Sequence, residues 1–271
     1  MTSVLLRKLT AAAIAAVAVV AMAAPAASAD TPNPGWERFA GCPGPSEKSE
    51  ISACIRSVIK GGHFQMGSKK VPISKPMTLV GGVNPEFQNF SWNSKGGLSP
   101  VKQQVPGGVI GLTGLDWLVN FLDIDSLQLF AVTELVGPPV FGENLTLPIR
   151  VRLINPVLGS KCYVGSASNP IVLNLTEGTT NPPPPNQPIS GKQAEFQEDP
   201  PGIATLKNAV AVDNSFAAPG ASGCVLTLFG FIPISINGLV NSQSGLPAPA
   251  GTNETVQIID TELAPRAFIY P

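Results

Sequence analysis

The sequence predicts a mainly β protein, built as an antiparallel β-sandwich or a barrel-like domain with one N-terminal helix. Three observations favour this class. Glycine (27 residues) and proline (28 residues) are frequent among the 271 residues, and both residue types form turns and end strands. Only 13% of the residues are charged, about half the share of an average globular protein. Short runs of Val, Leu and Ile alternate with polar residues at the period of half-buried strands.

The first 29 residues have the pattern of a secretory signal peptide. Two basic residues precede an apolar run over residues 9–24, and Ala27 and Ala29 occupy the positions that a signal peptidase recognises. We therefore expect cleavage between Ala29 and Asp30, and a protein that is secreted, either extracellular or cell-wall associated. The apolar run is shorter than the about 20 residues of a spanning helix, so the mature chain is predicted to have no integral membrane segment.

Residues 30–271 are predicted to form a single secreted β-rich domain, and its first part, residues 30–62, is predicted to hold the helix. Ser46 is a suitable N-cap, and four apolar residues then recur at the i, i+3, i+4, i+7 spacing of a helix. Two glycines at positions 61 and 62 follow, as they do at many helix C-termini. The sequence therefore predicts a helix over residues 46–60.

Strands separated by Gly, Asn and Pro turns are expected in the rest of the chain. Their patterns cover residues 71–73, 77–80, 127–135, 149–153, 171–175, 205–212, 224–236 and 255–259. The segment 177–202 is different, because it holds consecutive prolines and almost no apolar residue. We interpret it as a Pro-rich surface loop of the same domain. A proline-rich docking ligand is the alternative interpretation. Such ligands usually have flanking basic residues, and here Lys192 is the only basic residue nearby.

The four cysteines of the mature chain are predicted to form two disulfide bonds, because an even number of cysteines in an exported chain indicates a disulfide framework. Three pairings are formally open. The local pattern favours Cys42 with Cys54, because this bridge would tie the incoming strand to the predicted helix, and Cys162 with Cys224 then follows. Zinc is the competing interpretation, and it lacks both a CxxC pair and a histidine near the later cysteines in sequence.

Few residues offer catalytic chemistry. His63 is the only histidine, and no GxSxG motif accompanies it. We interpret His63 as a turn residue with local hydrogen bonds. The 17 basic and 18 acidic residues do not provide the basic face that nucleic acid requires. The sequence therefore predicts no catalytic residue, no cofactor and no nucleic-acid partner.

Calcium is the one metal with a partial sequence signal. Asp123 and Asp125 resemble the start of a calcium loop, and Glu134 stands at position twelve, as an EF-hand requires. Position six, which requires glycine, is Gln128. These carboxylates, and that of Asp116, are more simply interpreted as solvated groups at the start of a strand. Asp123, Asp125 and Glu134 remain the weak calcium candidates of the chain, and no metal site is predicted.

Several sequence segments of the chain resemble segments of a group of exported actinobacterial proteins that carry no assigned activity. They are Cys162–Ser166 with Asn169–Ile171, Leu173–Thr180 before the proline run, and Ser215–Ala221 before Cys224. The resemblance implies an actinobacterial host and export, and it implies that the two late cysteines occupy equivalent positions in the group. It brings no catalytic residue.

These observations favour an exported non-enzymatic protein of the cell envelope or extracellular space, with a structural or interaction role and an unspecified partner. Two alternatives stay open: a hydrolase of envelope polymers acting through carboxylates such as Asp123 and Asp125, and a β-barrel that binds an apolar ligand. Buried carboxylates that converge in a cleft would favour the hydrolase. A broad exposed apolar patch would favour the interaction role, and a large cavity lined by Phe and Leu would favour ligand binding.

Overall fold

The computed structural model describes residues 30–114, 127–156, 158–198, 202–228 and 232–271. Antiparallel strands are the main secondary structure, with 43% of residues in strands and 10% in helices, so the predicted β class is confirmed. The strands are β1 (Ala53–Met66), β2 (Lys69–Pro72), β3 (Met77–Val83), β4 (Phe90–Ser91), β5 (Gly97–Leu98), β6 (Gln103–Gln104), β7 (Phe130–Leu135), β8 (Val140–Phe141), β9 (Leu145–Ile154), β10 (Tyr163–Val164), β11 (Ile171–Leu175), β12 (Glu195–Glu198), β13 (Ala204–Asp213), β14 (Ala221–Ser222), β15 (Val225–Leu228), β16 (Ile232–Ser235) and β17 (Glu254–Pro265).

Short helices complete the described part of the chain. They are a 3₁₀ turn at Glu37–Phe39 and the α-helices α1 (Gly108–Thr113), α2 (Asn237–Ser244) and α3 (Arg266–Ile269). Among the helices of the described ranges, none has the length and apolar character needed to cross a bilayer. The predicted signal peptide lies outside the described residues.

The strands form two sheets that pack face to face. Sheet I has the order β12-β13-β17-β1-β3-β4, with β2 paired to β1 and β5 paired to β3. Sheet II has the order β14-β10-β9-β7-β6, with β8 and β11 also paired to β9, while β15 and β16 form a separate hairpin. The molecule is therefore a sandwich and not a closed barrel, which decides between the two architectures that the sequence allowed.

The predicted helix over residues 46–60 is wrong, because most of this segment belongs to β1. Ile55 and Ile59 point to one face of the strand, together with Ser57 between them. β1 lies between β17 and β3 and so forms two hydrogen-bonded ladders, which outweigh the weak helical spacing. The predicted N-cap, Ser46, instead donates hydrogen bonds from its amide and its hydroxyl to the Asp30 carboxylate.

The main core lies between the sheets. Sheet I contributes alternate residues of its inner face, such as Ile59, Phe64 and Met77, and sheet II contributes Ile149 and Leu173. This alternation of buried and exposed residues is the one expected of antiparallel strands with one buried face. The burial of these inner faces holds the two sheets together.

A second core covers the opposite face of sheet I, around residues 39–54 and 264–270. Phe39, Ile51 and Tyr270 are buried there around the Cys42–Cys54 disulfide. Both predicted disulfides are confirmed, with Cα–Cα distances of 5.6 Å for Cys42–Cys54 and 4.1 Å for Cys162–Cys224. No cysteine is free.

The Pro-rich segment lies on the surface and folds back on itself. Thr179 and Ser190 form an isolated antiparallel bridge, and Lys192 pairs with Val210 of β13 through two backbone hydrogen bonds of 2.9 and 2.8 Å. The Asn186 side chain donates to the carbonyl oxygens of Asn214 and Asn253. The segment is thus attached along sheet I, and Glu195–Glu198 extends the sheet as β12.

Candidate functional site: a cleft between the two sheets

An apolar cleft among the described residues opens where the two sheets separate at one edge of the sandwich. Its volume is about 510 Å³, which is within the range of about 300–1,000 Å³ that is usual for small-molecule sites. One wall is the inner face of sheet I, from β1, β3, β13 and β17. The other wall consists of the β8–β9 hairpin, the end of β11 and the start of the Pro-rich segment.

Small side chains on sheet I create the space for this cleft. Ala209 and Ala211 lie on the inner face of β13, where larger apolar residues would fill the gap between the sheets. Ser57 and Thr261 are opposite each other on β1 and β17, with their hydroxyl oxygens 2.9 Å apart. These residues form a floor of small and hydrogen-bonded groups beneath the apolar walls.

The apolar walls come from both sheets. The aliphatic and aromatic side chains that line the cleft are Ile55, Ile59, Leu79, Phe87, Phe141, Leu145, Leu147, Leu175, Leu206, Ile259 and Leu263. Phe87 and Leu206 are exposed at the opening, whereas Ile59 and Leu147 are buried further in. The cleft therefore runs from an exposed apolar rim into the core.

Gln257 stands at the inner end of the cleft. Its side chain is 1% exposed and also borders a void of about 20 Å³ inside the core, which shares Ile59, Leu79 and Leu147 with the cleft. Its Oε1 atom has no hydrogen-bond partner in the protein. A buried polar atom without a partner is rare and costly, so Gln257 is the candidate polar contact of the cleft.

The orientation of the Gln257 amide follows from its neighbour Thr255. The Thr255 hydroxyl donates its single hydrogen to the carbonyl oxygen of His63, at 3.0 Å. It therefore faces Gln257 as an acceptor, and Gln257 Nε2 donates to it at 3.4 Å. The opposite orientation would place two acceptor oxygens against each other. Oε1 is thus the atom left without a partner.

The cleft carries negative charge only at its rim. Glu143 and Glu177 are the charged residues among those that line it, and both are exposed. Glu177 also accepts a hydrogen bond from the amide of Ala194. No basic side chain belongs to the described lining, so the cleft provides no counter-charge for an anion.

The weak calcium candidates do not form a site in the described part of the chain. Asp116, Asp123 and Asp125 lie outside the described residues. Glu134 lies on β7, where its two carboxylate oxygens are 2.8 Å from Arg150 Nη2 and 2.9 Å from Arg152 Nε. Glu134 therefore forms ion pairs with two arginines across the β7–β9 ladder. Within the described residues, no group of three or more His, Cys, Asp and Glu is placed to hold a metal ion.

His63 is a strand residue, not a turn residue as the sequence suggested. It lies on β1 with its Nε2 2.7 Å from Glu254 Oε1, on the neighbouring strand β17. It is not among the residues that line the cleft. Its role is to pair with Glu254 across the β1–β17 ladder.

The chain matches no protein-family model, no curated protein and no solved structure with which it was compared. The functional assignment therefore depends on the geometry of the cleft. Among the described residues, Ile232 and Ile234 form a smaller exposed apolar pair, and Phe196 is exposed beside the rim residue Leu206. The cleft differs from the Ile232–Ile234 pair because it combines apolar walls with a buried, unpaired acceptor.

Proposed function

We propose that this protein is an exported, non-enzymatic binding protein that holds a small apolar molecule in the cleft between its sheets. The observation that carries this proposal is the cleft of about 510 Å³ with apolar walls and Gln257 at its inner end. Of the three functions that the sequence left open, apolar ligand binding is the one that such a cavity supports. The binding site is formed by an open sandwich instead of the barrel that the sequence suggested.

The polar groups of the cleft do not favour hydrolysis. Its two carboxylates, Glu143 and Glu177, are exposed at the rim, whereas catalytic carboxylates are usually desolvated and directed at a common point. The two disulfides support the export part of the proposal, because disulfides persist in oxidising compartments. The location in the cell envelope or the extracellular space belongs to the same proposal.

A titration with 1-octanol, observed by ¹H–¹⁵N NMR on the purified disulfide-bonded protein, tests this function. 1-Octanol is neutral, largely apolar and soluble enough for a titration. We expect saturable one-to-one shifts at the amides of Ser57, Ala209, Ala211 and Thr261, and no saturable shifts at β14 on the far edge of sheet II. Shifts that stay linear with concentration, or that are spread over the whole chain, would show that the cleft holds no ligand.

A further inference from the structure

We propose that the cleft selects neutral apolar molecules that carry a hydroxyl group, and that this hydroxyl donates a hydrogen bond to Gln257 Oε1. The inference rests on the proposed binding function and names its class of ligand. Its basis is the fixed amide orientation: because Thr255 already uses its hydroxyl hydrogen on His63, Gln257 keeps a buried, unpaired acceptor at the inner end of the cleft. A ligand that satisfies this atom must bring a donor.

The residues beside Gln257 on the two adjacent strands have a short side chain or none. Gly62 of β1 and Ala211 of β13 are its cross-strand partners. Neither carries a side chain long enough to cover the amide. Gly62 is also fixed as glycine, since its φ is +105° and an added Cβ would lie 1.9 Å from the Val256 carbonyl oxygen. The backbone thus requires a residue without a side chain beside Gln257.

The surroundings of Oε1 make a hydrogen bond there effective. Ile59, Leu79 and Leu147 lie around the inner end of the cleft and exclude competing polar groups. Hydrogen bonds are electrostatically stronger in such a low-dielectric environment than in water. The apolar part of the ligand would then extend from Gln257 along Ile259 and Ala209 towards the rim at Leu263 and Leu206.

Charge selects against ionised ligands of the same shape. A carboxylate has no hydrogen to donate to Gln257 Oε1, and the rim carboxylates of Glu143 and Glu177 repel it. An ammonium group has hydrogens to donate, but at the inner end it would be a buried charge facing only a neutral amide, which is unfavourable. A neutral hydroxyl satisfies the acceptor without introducing a buried charge.

The test compares 1-octanol with its isomer 1-methoxyheptane and with octanoate, by NMR titration of the wild-type protein, Gln257→Met and Gln193→Met. The two isomers have the same atoms and a similar linear shape, but only the alcohol donates a hydrogen bond. Methionine keeps the shape of glutamine and removes its carbonyl group. Gln193→Met is the matched control, because Gln193 lines the same cleft at the exposed rim.

We expect the wild-type protein and Gln193→Met to bind 1-octanol about fivefold more tightly than 1-methoxyheptane, the effect of one hydrogen bond, and to bind octanoate most weakly. In Gln257→Met the two isomers should bind equally. Equal affinities in the wild type, tight binding of octanoate, or an alcohol preference that survives in Gln257→Met would each overturn the selection by Gln257 while binding itself stands. Absence of saturable binding by all three probes would overturn the binding function as well.

Discussion

The hydroxyl of Tyr270 donates a hydrogen bond of 2.6 Å to the carbonyl oxygen of Cys42, joining the penultimate residue of the chain to the N-terminal disulfide. Tyr270 is buried in the second core, and its ring packs where the N-terminal segment crosses sheet I. Burial, followed by the nearby negative charges of Glu47 and Asp30, raises the pKa of Tyr270 to about 12. Tyr270 and the segment around Cys42 are thus held together by a group that must stay protonated.

We therefore predict that Tyr270→Phe lowers the free energy of unfolding by about 1 kcal/mol at neutral pH, the usual value of one such hydrogen bond. The raised pKa of Tyr270 also gives a pH dependence. The stability that Tyr270 contributes is fully present below the pKa of this tyrosine in the unfolded chain, about 10. It is lost as the pH rises towards about 12, the pKa of Tyr270 in the folded protein. Urea unfolding at pH 7 and pH 11 should show that the variant loses less stability at high pH than the wild type.

Tyr163→Phe is the matched control for this prediction. Tyr163 is the other tyrosine of the chain, and its ring lies 4.4 Å from the guanidinium carbon of Arg150, a contact that phenylalanine retains. We expect it to change the free energy of unfolding by no more than about 0.5 kcal/mol. An equal loss in both variants at neutral pH would contradict a specific role of the Tyr270–Cys42 hydrogen bond.

The two glycines of β1 are predicted to differ sharply in their tolerance of a side chain. At Gly62 the φ of +105° and the Val256 carbonyl oxygen both oppose a Cβ, whereas at Gly61 the nearest neighbour of a Cβ, Ile258 Cδ1, is 3.5 Å away. Gly62→Ala should lower the free energy of unfolding by about 2 kcal/mol or more. Gly61→Ala should change it by about 0.5 kcal/mol or less. Thermal denaturation of the two variants measures the difference, and similar effects at both positions would contradict the backbone conformation of Gly62.

The disulfide that closes the longer loop is predicted to stabilise the protein more than the other disulfide. Cys162 and Cys224 are separated by 62 positions, and Cys42 and Cys54 by 12. In the chain-entropy description, replacing Cys162 and Cys224 by serine lowers the free energy of unfolding by about 4 kcal/mol. Replacing Cys42 and Cys54 by serine lowers it by about 3 kcal/mol. Chemical unfolding of the two double variants checks this order. A clearly greater loss for the Cys42–Cys54 pair would show that packing in the second core dominates over loop length.

Gln257→Met is predicted to leave the melting temperature unchanged or to raise it. Replacement of a buried acceptor that has no partner by an apolar group of similar shape removes a desolvation cost and leaves the packing intact. A glutamine that served only the fold would give the opposite result. A clear fall in the melting temperature would therefore show that Oε1 is satisfied within the free protein.

The sequence predicts the strands whose apolar residues alternate, but it does not predict a strand that depends on pairing with distant segments. Alternating segments such as Ile149–Leu153 and Ile171–Leu175 lie in strands as expected, because their pattern has a period that only a strand buries. The segment that became β1 was misassigned, because its apolar residues fit a helical spacing by chance while its pairing partners, β3 and β17, lie far from one another in sequence. Such long-range pairing is invisible in local periodicity.

The sequence could not predict the cleft for a related reason. Ala209, Ala211 and Ser57 line a cleft only because the two sheets face each other and leave a gap. One signal was present: Gln257 occupies an inward position of β17, between Thr255 and Ile259, where a strand buried on one face usually carries an apolar residue. A polar residue at such a position is the sequence feature that could have indicated this site.

The most direct measurement of the proposed function is the dissociation constant of 1-octanol for Ala211→Trp, compared with Ala217→Trp and the wild type. Ala211 lies on the floor of the cleft, and Ala217 is exposed outside it, so the same added ring fills the cleft in one variant only. Circular dichroism confirms that both variants are folded, and Ala211→Phe replaces the larger substitution if Ala211→Trp does not fold. We predict at least tenfold weaker binding for the Ala211 variant and unchanged binding for Ala217→Trp. Wild-type affinity in a folded Ala211 variant would contradict ligand binding in the cleft.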